Sequence, residues 1–227
     1  MKLKAKYTDL GVSEYKKTWD LQEDLFRKSV KMRGAEESNI PNYLFFVEHP
    51  HVYTLGKSGD EHNMLLNAIQ LQANDATFVE TNRGGDITYH GPGQIVGYPI
   101  FDILTMDLGV RDYIEKLEEA VILTVAEYGI EATRLEGATG VWLDIDKPGR
   151  TRKICAIGVK CSRHITMHGF ALNVNTNLDY FNYINPCGFV DKGVTSIEKE
   201  IGRKVDFEEA KEICKSKLAE VFNIELE

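Results

Sequence analysis

A cysteine at position 187 and a lysine at position 153 have side chains and sequence settings that suit covalent acyl transfer. Cys187 lies in the turn-forming sequence Asn-Pro-Cys-Gly at 185–188, and Lys153 opens a strand-like segment that ends at Gly158. A thiolate is a strong nucleophile, but a free cysteine is only a few per cent thiolate at neutral pH. The Cys187 thiol therefore needs a base or cation beside it, and Lys153 could be that partner.

Cys155 is a second candidate nucleophile. In an extended strand residues 153 and 155 point to the same face, which would bring Lys153 beside Cys155. Cysteine is also among the most buried residue types, so either thiol could be an inert core group. The Pro-Cys-Gly turn favours Cys187, because it would hold the thiol on a constrained loop instead of a packed helix face. Spacing alone does not decide between the two.

The glycine-rich segment 83–94 has two interpretations. Glycines at 84–85 and 91–93 flank the strand-like run 86–89, and a ligand could approach the main chain closely at these turns. A hairpin bracketed by two tight turns needs the same glycines for structural reasons. The pattern is neither a Walker loop nor the dinucleotide-binding fingerprint. His90, taken alone, is more typical of a hydrogen-bonded structural histidine than of a general base.

Histidines and cysteines do not form a metal-binding pattern in this sequence. No helix-spaced pair and no nearby carboxylate or thiolate completes the His49-Pro50-His51 motif, so we predict no metal site. The cysteines follow no CxxC pattern, which argues against a zinc site and a disulfide framework. In a reducing compartment they would be thiols. The cysteines are Cys155, Cys161, Cys187 and Cys214.

The composition argues against several classes of protein. The chain has 227 residues, 43% of them hydrophobic, which is enough for a substantial core, and we predict a single domain over residues 1–227. Its 27 basic against 35 acidic residues indicate no general affinity for nucleic acid or anionic membrane. The basic N-terminus is not followed by an apolar run, and no stretch approaches the roughly 18 apolar residues of a membrane span. We expect a soluble, cytoplasmic protein.

Helical and strand patterns alternate along the chain without a regular βαβ period. This interleaving favours an α/β or α+β domain built around a mixed β-sheet flanked by helices. Apolar periodicity predicts helices over 13–33, 110–129 and 206–222, the first with Tyr15, Trp19, Phe26 and Val30 near one face. β-Branched and aromatic runs predict strands over 42–48, 52–55, 86–89, 141–143, 154–160 and 169–175. A charged turn over 144–152 joins two of these strands.

Five motifs in order along the chain resemble one enzyme family. They are Glu48-His49-Pro50 with Tyr53-Thr54-Leu55-Gly56, the glycine-rich segment 83–94, Lys-Ile-Cys-Ala-Ile-Gly at 153–158, His-Gly-Phe-Ala-Leu-Asn at 168–173, and Asn-Pro-Cys-Gly at 185–188. The combination is similar to the lipoyl(octanoyl) transferases, the octanoyltransferases of lipoate biosynthesis. Five ordered motifs are far more specific than any one of them.

This resemblance implies a fold, a reaction and a set of partners. The fold would be the catalytic domain of the biotin/lipoate protein ligase type. The reaction would take an octanoyl group from octanoyl-acyl carrier protein and place it on a lysine of a lipoyl domain, through a cysteine thioester and without a cofactor. The acceptors would be the lipoyl domains of 2-oxoacid dehydrogenase complexes and the glycine cleavage H protein.

The resemblance also implies roles for individual residues. Cys187 matches the cysteine that carries the acyl thioester, and Lys153 matches the lysine that lowers the pKa of that thiol. An apolar slot for eight carbons would draw on Ile157 and Leu172, among others. The residues that match the acyl-site segments are Arg83, Gly84, Gly85, Asp86, Ile87, Thr88, Tyr89, His90, Ala156, Ile157, Gly158, Gly169, Phe170 and Ala171.

Two other functions stay open on the sequence. An ATP-dependent lipoate-protein ligase would share the fold but would need an acyl-adenylate site and no nucleophilic cysteine. A non-catalytic module that binds lipoyl domains or carrier protein would keep the surface without turnover. Activity without ATP that depends on Cys187 would argue against the ligase, and a stable acyl adduct would argue against the binding module.

Overall fold

The computed structural model describes residues 2–37, 39–185 and 192–227. The strands are β1 (Leu3–Val12), β2 (Asn42–Glu48), β3 (Val52–Leu55), β4 (Thr77–Glu80), β5 (Thr88–His90), β6 (Gln94–Ile100), β7 (Thr133–Leu135), β8 (Ala138–Leu143), β9 (Arg152–Ser162), β10 (Ile165–Asn173), β11 (Gly193–Val194) and β12 (Ile224–Leu226). The α-helices are α1 (Tyr15–Gly34), α2 (Ala68–Ala73), α3 (Val110–Ala126), α4 (Ile197–Ile201) and α5 (Phe207–Phe222).

The strands of the described residues form one large sheet and one small sheet. The large sheet has the order β12-β1-β2-β6-β10-β9-β8-β7, with β11 paired to β9. Strand β1 runs parallel to both of its neighbours, while the pairs from β2 through β8 are antiparallel. The small sheet has the order β4-β3-β5. The predicted mixed sheet flanked by helices is therefore confirmed.

Alternation along the strands of the large sheet supplies a core on each face. In β2, Leu44 and Phe46 point to the face covered by α3 and α5, whereas Phe45 and Val47 point to the face covered by α1. The first face holds the larger core, in which the helix α3 predicted over 110–129 contributes Tyr113, Leu117 and Val121, among others. The helix α1 covers a smaller core, and this second face carries the candidate site.

Helix α1 matches its prediction in position but differs in the face that it buries. Tyr15 and Phe26 are buried as expected, whereas Trp19 is only half-buried. The polar Gln22 is fully buried instead, because its Oε1 accepts a hydrogen bond of 3.0 Å from the backbone N–H of His168. The apolar period found the helix, but a side chain that satisfies a buried backbone donor carries no apolar signal.

The glycine-rich segment leads into the small sheet, where its strand lies over 88–90 instead of 86–89. Before this strand, residues 83–86 form a loop that lies directly against β9 of the large sheet. The N–H of Gly84 donates to the carbonyl of Val159 at 2.9 Å. The contact is close enough that a Cβ on Gly158 would lie 2.8 Å from the carbonyl oxygen of Gly84. Glycine at 158 therefore permits the small sheet to dock on the large one.

We predict that Gly158→Ala lowers the free energy of unfolding by about 1–3 kcal/mol, because the added methyl group pushes one backbone off another. Gly193→Ala is the matched control, since its Cβ would meet nothing closer than 3.6 Å. Chemical denaturation of the two variants measures the difference. Equal stability of Gly158→Ala and the wild type would show that the loop can move away without cost.

Candidate functional site

A cavity of about 760 Å³ opens where the α1 face of the large sheet meets the 83–86 loop. This volume lies within the range of about 300–1,000 Å³ that is usual for small-molecule sites. Most of the predicted site residues within the described part of the chain come together in its walls. Those that line it are Arg83, Gly84, Gly85, Asp86, Ile87, Thr88, His90, Lys153, Ala156, Ile157, Gly158, Gly169, Phe170 and Ala171.

Cys187, the predicted nucleophile, lies outside the described residues. The chain on both sides of it belongs to the cavity wall, since Asn185 and Lys192 both line the cavity. The carbonyl of Asn63 accepts a hydrogen bond of 2.8 Å from the N–H of Asn185, which ties the incoming end to the short 3-10 helix Glu61–Asn63.

Tyr89 is the predicted site residue that the structure places elsewhere. Successive side chains of a strand point to opposite faces, so Thr88 and His90 face the cavity and Tyr89 faces away. Its ring is fully buried in an aromatic cluster with Tyr53 and Tyr180, and its hydroxyl hydrogen-bonds to Nδ1 of His51 at 2.7 Å. Tyr89 therefore supports the small sheet and does not line the cavity.

Leu172, a predicted slot residue, also faces away from the cavity. It is fully buried in the core beneath α3 and α5, whereas its neighbour Ala171 faces the cavity. Ala171 lies in register between Val96 of β6 and Ala156 of β9. All three of these side chains are small or branched aliphatic groups that line the cavity. Together they form an apolar floor.

Lys153 is half-buried in the cavity wall, and its environment disfavours its charge. Burial lowers the pKa of the Lys153 ammonium to about 8, and the positive charge of Arg83 acts in the same direction. Nζ lies 4.5 Å from the centre of the Trp142 ring and donates to the carbonyl of Thr139 at 3.2 Å. A lysine with this pKa exchanges protons near neutral pH, which is the property of a general base.

The backbone around Lys153 is shaped to admit its side chain. Gly140 has a φ of 125°, and a Cβ there would lie 2.6 Å from the carbonyl oxygen of Cys155 and 3.3 Å from Cε of Lys153. No other residue type adopts this conformation without strain. Glycine at 140 therefore leaves the space along which the lysine stem reaches the cavity.

Cys155 does not share the face of Lys153, contrary to the prediction from strand alternation. Val141 pairs with Cys155 but Trp142 pairs with Lys153, so β9 contains one extra residue, Ile154, at this point. Such a bulge breaks the alternation of side chains. Ile154 and Cys155 are consequently both buried in the core beneath α3 and α5. Burial also raises the pKa of the Cys155 thiol well above its ordinary value, which makes it a poor nucleophile.

Arg83, a second cation in the cavity wall, is buried. Its Nη2 donates to the carbonyl oxygen and the hydroxyl of Thr54 at 2.6 and 2.9 Å, and its Nη1 donates to the carbonyl of Gly84 at 3.1 Å. Burial lowers the pKa of the guanidinium, while the carboxylate of Asp86 acts in the opposite direction. The hydrogen bonds of the guanidinium go to neutral oxygens.

The cavity wall also contains several polar or aromatic residues for which the sequence predicts no role. They are Tyr15, Gln94, Tyr98, Trp142, His168 and Asn173. Gln94, His168 and Asn173 stand at the ends of the recognised motifs, so the motif edges were the available signal. Their side chains are nearly inaccessible to solvent. Buried polar groups need hydrogen-bond partners, which the sequence does not show.

The charged turn over 144–152 is held by ion pairs beside the lysine. Arg152 binds Glu200 through two hydrogen bonds of 2.6 Å and binds Asp144 at 2.5 Å.

Throughout the residues that the structure describes, no group of three His, Cys, Asp or Glu side chains could hold a metal ion. The same residues include no helix with the length and apolar character needed to cross a bilayer.

Comparison with known proteins gives the family and confirms the fold. The family model for the lipoyl protein ligase A/B catalytic domain matches residues 14–219. A relative from Flavobacterium johnsoniae named octanoyltransferase is 54% identical over 232 residues and covers 100% of both chains. An octanoyltransferase from Christiangramia forsetii is 52% identical, covering 100% of this chain and 99% of its own length.

Two solved structures resemble this fold at low sequence identity. The bipartite lipoate protein ligase from Thermoplasma acidophilum aligns with a TM-score of 0.71 and 13% identity, covering 99% of this chain and 86% of that chain. Biotin protein ligase from Aquifex aeolicus aligns with a TM-score of 0.55 and 13% identity, covering 96% of this chain and 70% of that chain. The predicted biotin/lipoate ligase type of fold is confirmed. With the family model over most of its length and full-length relatives above 50% identity, this chain, an acyltransferase, belongs to the lipoyl protein ligase A/B catalytic domain family.

Proposed function

We propose that this protein transfers an octanoyl group from octanoyl-acyl carrier protein to a lysine of a lipoyl domain, through a thioester on Cys187. The observation that carries the proposal is the half-buried Lys153, whose pKa falls to about 8 in the wall of a cavity with an apolar floor. Full-length relatives named octanoyltransferase support the choice of acyl group. The two ends of the segment that contains Cys187 line the same cavity.

In the first half of the proposed reaction, Lys153 Nζ accepts the proton of the Cys187 thiol. The thiolate attacks the carbonyl carbon of the octanoyl thioester, and the bond from that carbon to the sulfur of the donor breaks. The departing donor thiolate takes the proton back from Lys153. One thioester replaces another, so no ATP is consumed, and the enzyme only has to lower the barrier.

In the second half, the amine of the acceptor lysine attacks the acyl group on Cys187. Lys153 accepts a proton from this amine, an amide forms as the bond from the acyl carbon to Cys187 Sγ breaks, and the leaving thiolate takes the proton from Lys153. One base thus serves both halves. Lys153 suits this task because its pKa of about 8 allows it to take up and release a proton at nearly neutral pH.

The acyl chain would lie on the floor formed by Val96, Ala156 and Ala171. Each methylene removed from water contributes about 0.8 kcal/mol, so the depth of the floor would set the preferred chain length. Lys192 and the 83–86 loop border the same cavity.

The proposal extends to partners, location and organisation. The acceptors are the lipoyl domains of 2-oxoacid dehydrogenase complexes and the glycine cleavage H protein, the protein acts in the cytoplasm without a cofactor, and residues 1–227 form one domain. An ATP-dependent ligase of the same fold is the competing function. Acylation of Cys187 in the absence of ATP distinguishes the transferase from the ligase, because a ligase would need ATP and would leave the cysteine unmodified.

We predict that Cys187 becomes octanoylated when the protein is mixed with octanoyl-acyl carrier protein in the absence of ATP and acceptor. Thioester exchange needs no cofactor, so intact mass should rise by one octanoyl group in place of a hydrogen. Peptide mapping should locate the adduct at Cys187, and Cys187→Ser should show none. An adduct on Cys155, or one that persists in Cys187→Ser, would contradict the assignment.

We predict that the rate of Cys187 acylation rises with pH through about 8 and then levels. Below this pH Lys153 is an ammonium and cannot accept a proton, whereas above it the amine is free to do so. Single-turnover acylation across this range measures the profile.

Lys153→Arg tests the same point, because arginine keeps the positive charge but cannot act as a base. We expect it to lose most activity. Lys160→Arg is the matched control, since Lys160 lies on the same strand and also contacts an aromatic ring, at 4.7 Å from the centre of Phe26. Comparable activity in the two variants, or a flat pH profile, would show that Lys153 is not the base.

We predict that Ala171→Leu shifts donor preference from octanoyl towards butanoyl and hexanoyl groups. The larger side chain fills part of the floor, and each excluded methylene should cost about fourfold in relative rate. Transfer rates for the three donors measure the shift. Ala210→Leu is the control, because Ala210 is fully buried in the core beneath α3 and α5, away from the cavity. Unchanged ratios in Ala171→Leu would remove this residue from the slot.

A further inference from the structure

Along the cavity wall, an unbroken series of hydrogen bonds joins Arg83 to the strand that carries Lys153. The series passes through four side chains from four different strands, which are Thr54 of β3, His90 of β5, Gln94 of β6 and Asn173 of β10. Its links are Arg83 Nη2 to Thr54 Oγ1 at 2.9 Å, Thr54 Oγ1 to His90 Nε2 at 3.3 Å, His90 Nδ1 to Gln94 Oε1 at 2.8 Å, Gln94 Nε2 to Asn173 Oδ1 at 2.9 Å, and Asn173 Nδ2 to the carbonyl of Thr195 at 3.0 Å.

The far end of the series reaches the catalytic lysine through the backbone. The N–H of Thr195 donates to the carbonyl of Lys153 at 2.9 Å, next to the parallel pairing of Val194 with Lys153. The hydroxyl of Thr195 hydrogen-bonds to Glu200, which in turn binds Arg152. Thr195 thus connects the side-chain series to both residues at the start of β9.

The direction of every link is fixed by groups that have only one possible role. Gln94 Nε2 also faces the carbonyl of Tyr89, at 3.2 Å, and a carbonyl oxygen can only accept. The oxygen of Gln94 must therefore be the atom that faces His90. For the same reason the nitrogen of Asn173 faces the carbonyl of Thr195, and its oxygen accepts from Gln94.

These directions determine where His90 carries its proton. Because Gln94 Oε1 accepts, His90 Nδ1 must donate, and in a neutral imidazole Nε2 is then the acceptor. The hydroxyl of Thr54 donates to Nε2 and accepts from the guanidinium of Arg83, which has no acceptor of its own. Every donor in the series therefore points in the same direction, from Arg83 towards Thr195.

The surroundings of His90 oppose a second proton. Its ring stacks on Tyr15 at 5.8 Å and meets the ring of His49 edge-on at 6.0 Å. Burial, together with the nearby His49 and Arg83, lowers the pKa of His90 to about 3. The ring is therefore neutral at any pH at which the enzyme works.

We propose that His90, Gln94 and Asn173 are positioning residues, which form a single proton-ordered series that fixes Arg83 and the Lys153 strand relative to each other across the cavity, with His90 held as the Nδ1–H tautomer. The series is nearly inaccessible to solvent, with relative exposures of 0% for Thr54, 1% for Gln94 and 4% for Asn173. A polar group left without a partner there has no water to replace it. Loss of one link therefore misplaces both ends.

The tautomer is tested without any assumption about the reaction. Nitrogen-15 NMR of histidine side chains reports which ring nitrogen carries the proton, and the His90 signal is assigned by its absence in His90→Gln. We expect a protonated Nδ1 and a bare Nε2, with no titration between about pH 5 and 8. A proton on Nε2, or a titration in this range, would overturn the proposal.

The coupling to activity rests on the proposed transfer function and is tested with a matched pair of variants. In Asn173→Asp an oxygen that cannot donate faces the carbonyl of Thr195. Asn175→Asp removes a comparable bond, from Nδ2 to the carbonyl of Val205 at 2.9 Å, outside the series. We expect Asn173→Asp to lower kcat about tenfold or more while KM for the octanoyl donor stays within about twofold, and Asn175→Asp to retain both.

A double-mutant cycle separates a connected series from ordinary structural damage. Thr54→Val removes the hydroxyl link at the Arg83 end, and Asn173→Asp disrupts the link at the other end. If the series acts as one unit, the losses in kcat and in unfolding free energy are less than additive in the double variant. Additive losses, or equal losses in Asn173→Asp and Asn175→Asp, would overturn the proposal. An inactive wild type would contradict the transfer function alone, because the tautomer and the stability cycle are measured without turnover.

Discussion

The desolvation of two cations, the half-buried Lys153 and the buried Arg83, in one cavity wall is the constraint on which the rest of the site depends. Removing a charged group from water costs several kcal/mol, and for Arg83 the attraction of the Asp86 carboxylate offsets part of this cost. The two side chains respond differently because their chemistry differs. The lysine can lose its proton and becomes a base, whereas the arginine stays charged and is held by the oxygens of Thr54 and Gly84.

The backbone of the large sheet departs from regularity at the points that these cations require. The extra residue at Ile154 turns Lys153 to the cavity while Cys155 enters the core. Gly140 makes room for the lysine stem, and Gly158 lets the 83–86 loop, with Arg83 at its start, approach β9. A regular sheet with side chains at both glycines would place neither cation at the cavity. The irregular positions are therefore part of the site and not defects of the fold.

Much of this arrangement could be predicted from the sequence, because the relevant signals are local. Apolar periodicity found α1, α3 and α5, and the ordered motifs found the cavity walls. Tyr89 shows the limit of a motif, which marks a segment but not which side of a strand each residue faces. Alternation would place Cys155 on the face of Lys153, and it fails here because a bulge leaves no signature in the sequence. The partners of Gln94 and Asn173 come from distant segments, so no local pattern could reveal them.

The same physical effect that prepares Lys153 disqualifies the thiol nearest to it in sequence. Desolvation destabilises whichever form carries charge, so it lowers the pKa of an ammonium and raises that of a thiol. Cys155, fully buried, shows the second outcome, while Lys153 in the wall of the same sheet shows the first. In the reaction that we propose, a nucleophilic cysteine therefore has to approach this lysine from outside the sheet core. The segment between Asn185 and Lys192 contains Cys187 and joins the cavity wall at both ends, which makes it the part of the chain suited to supply that thiol.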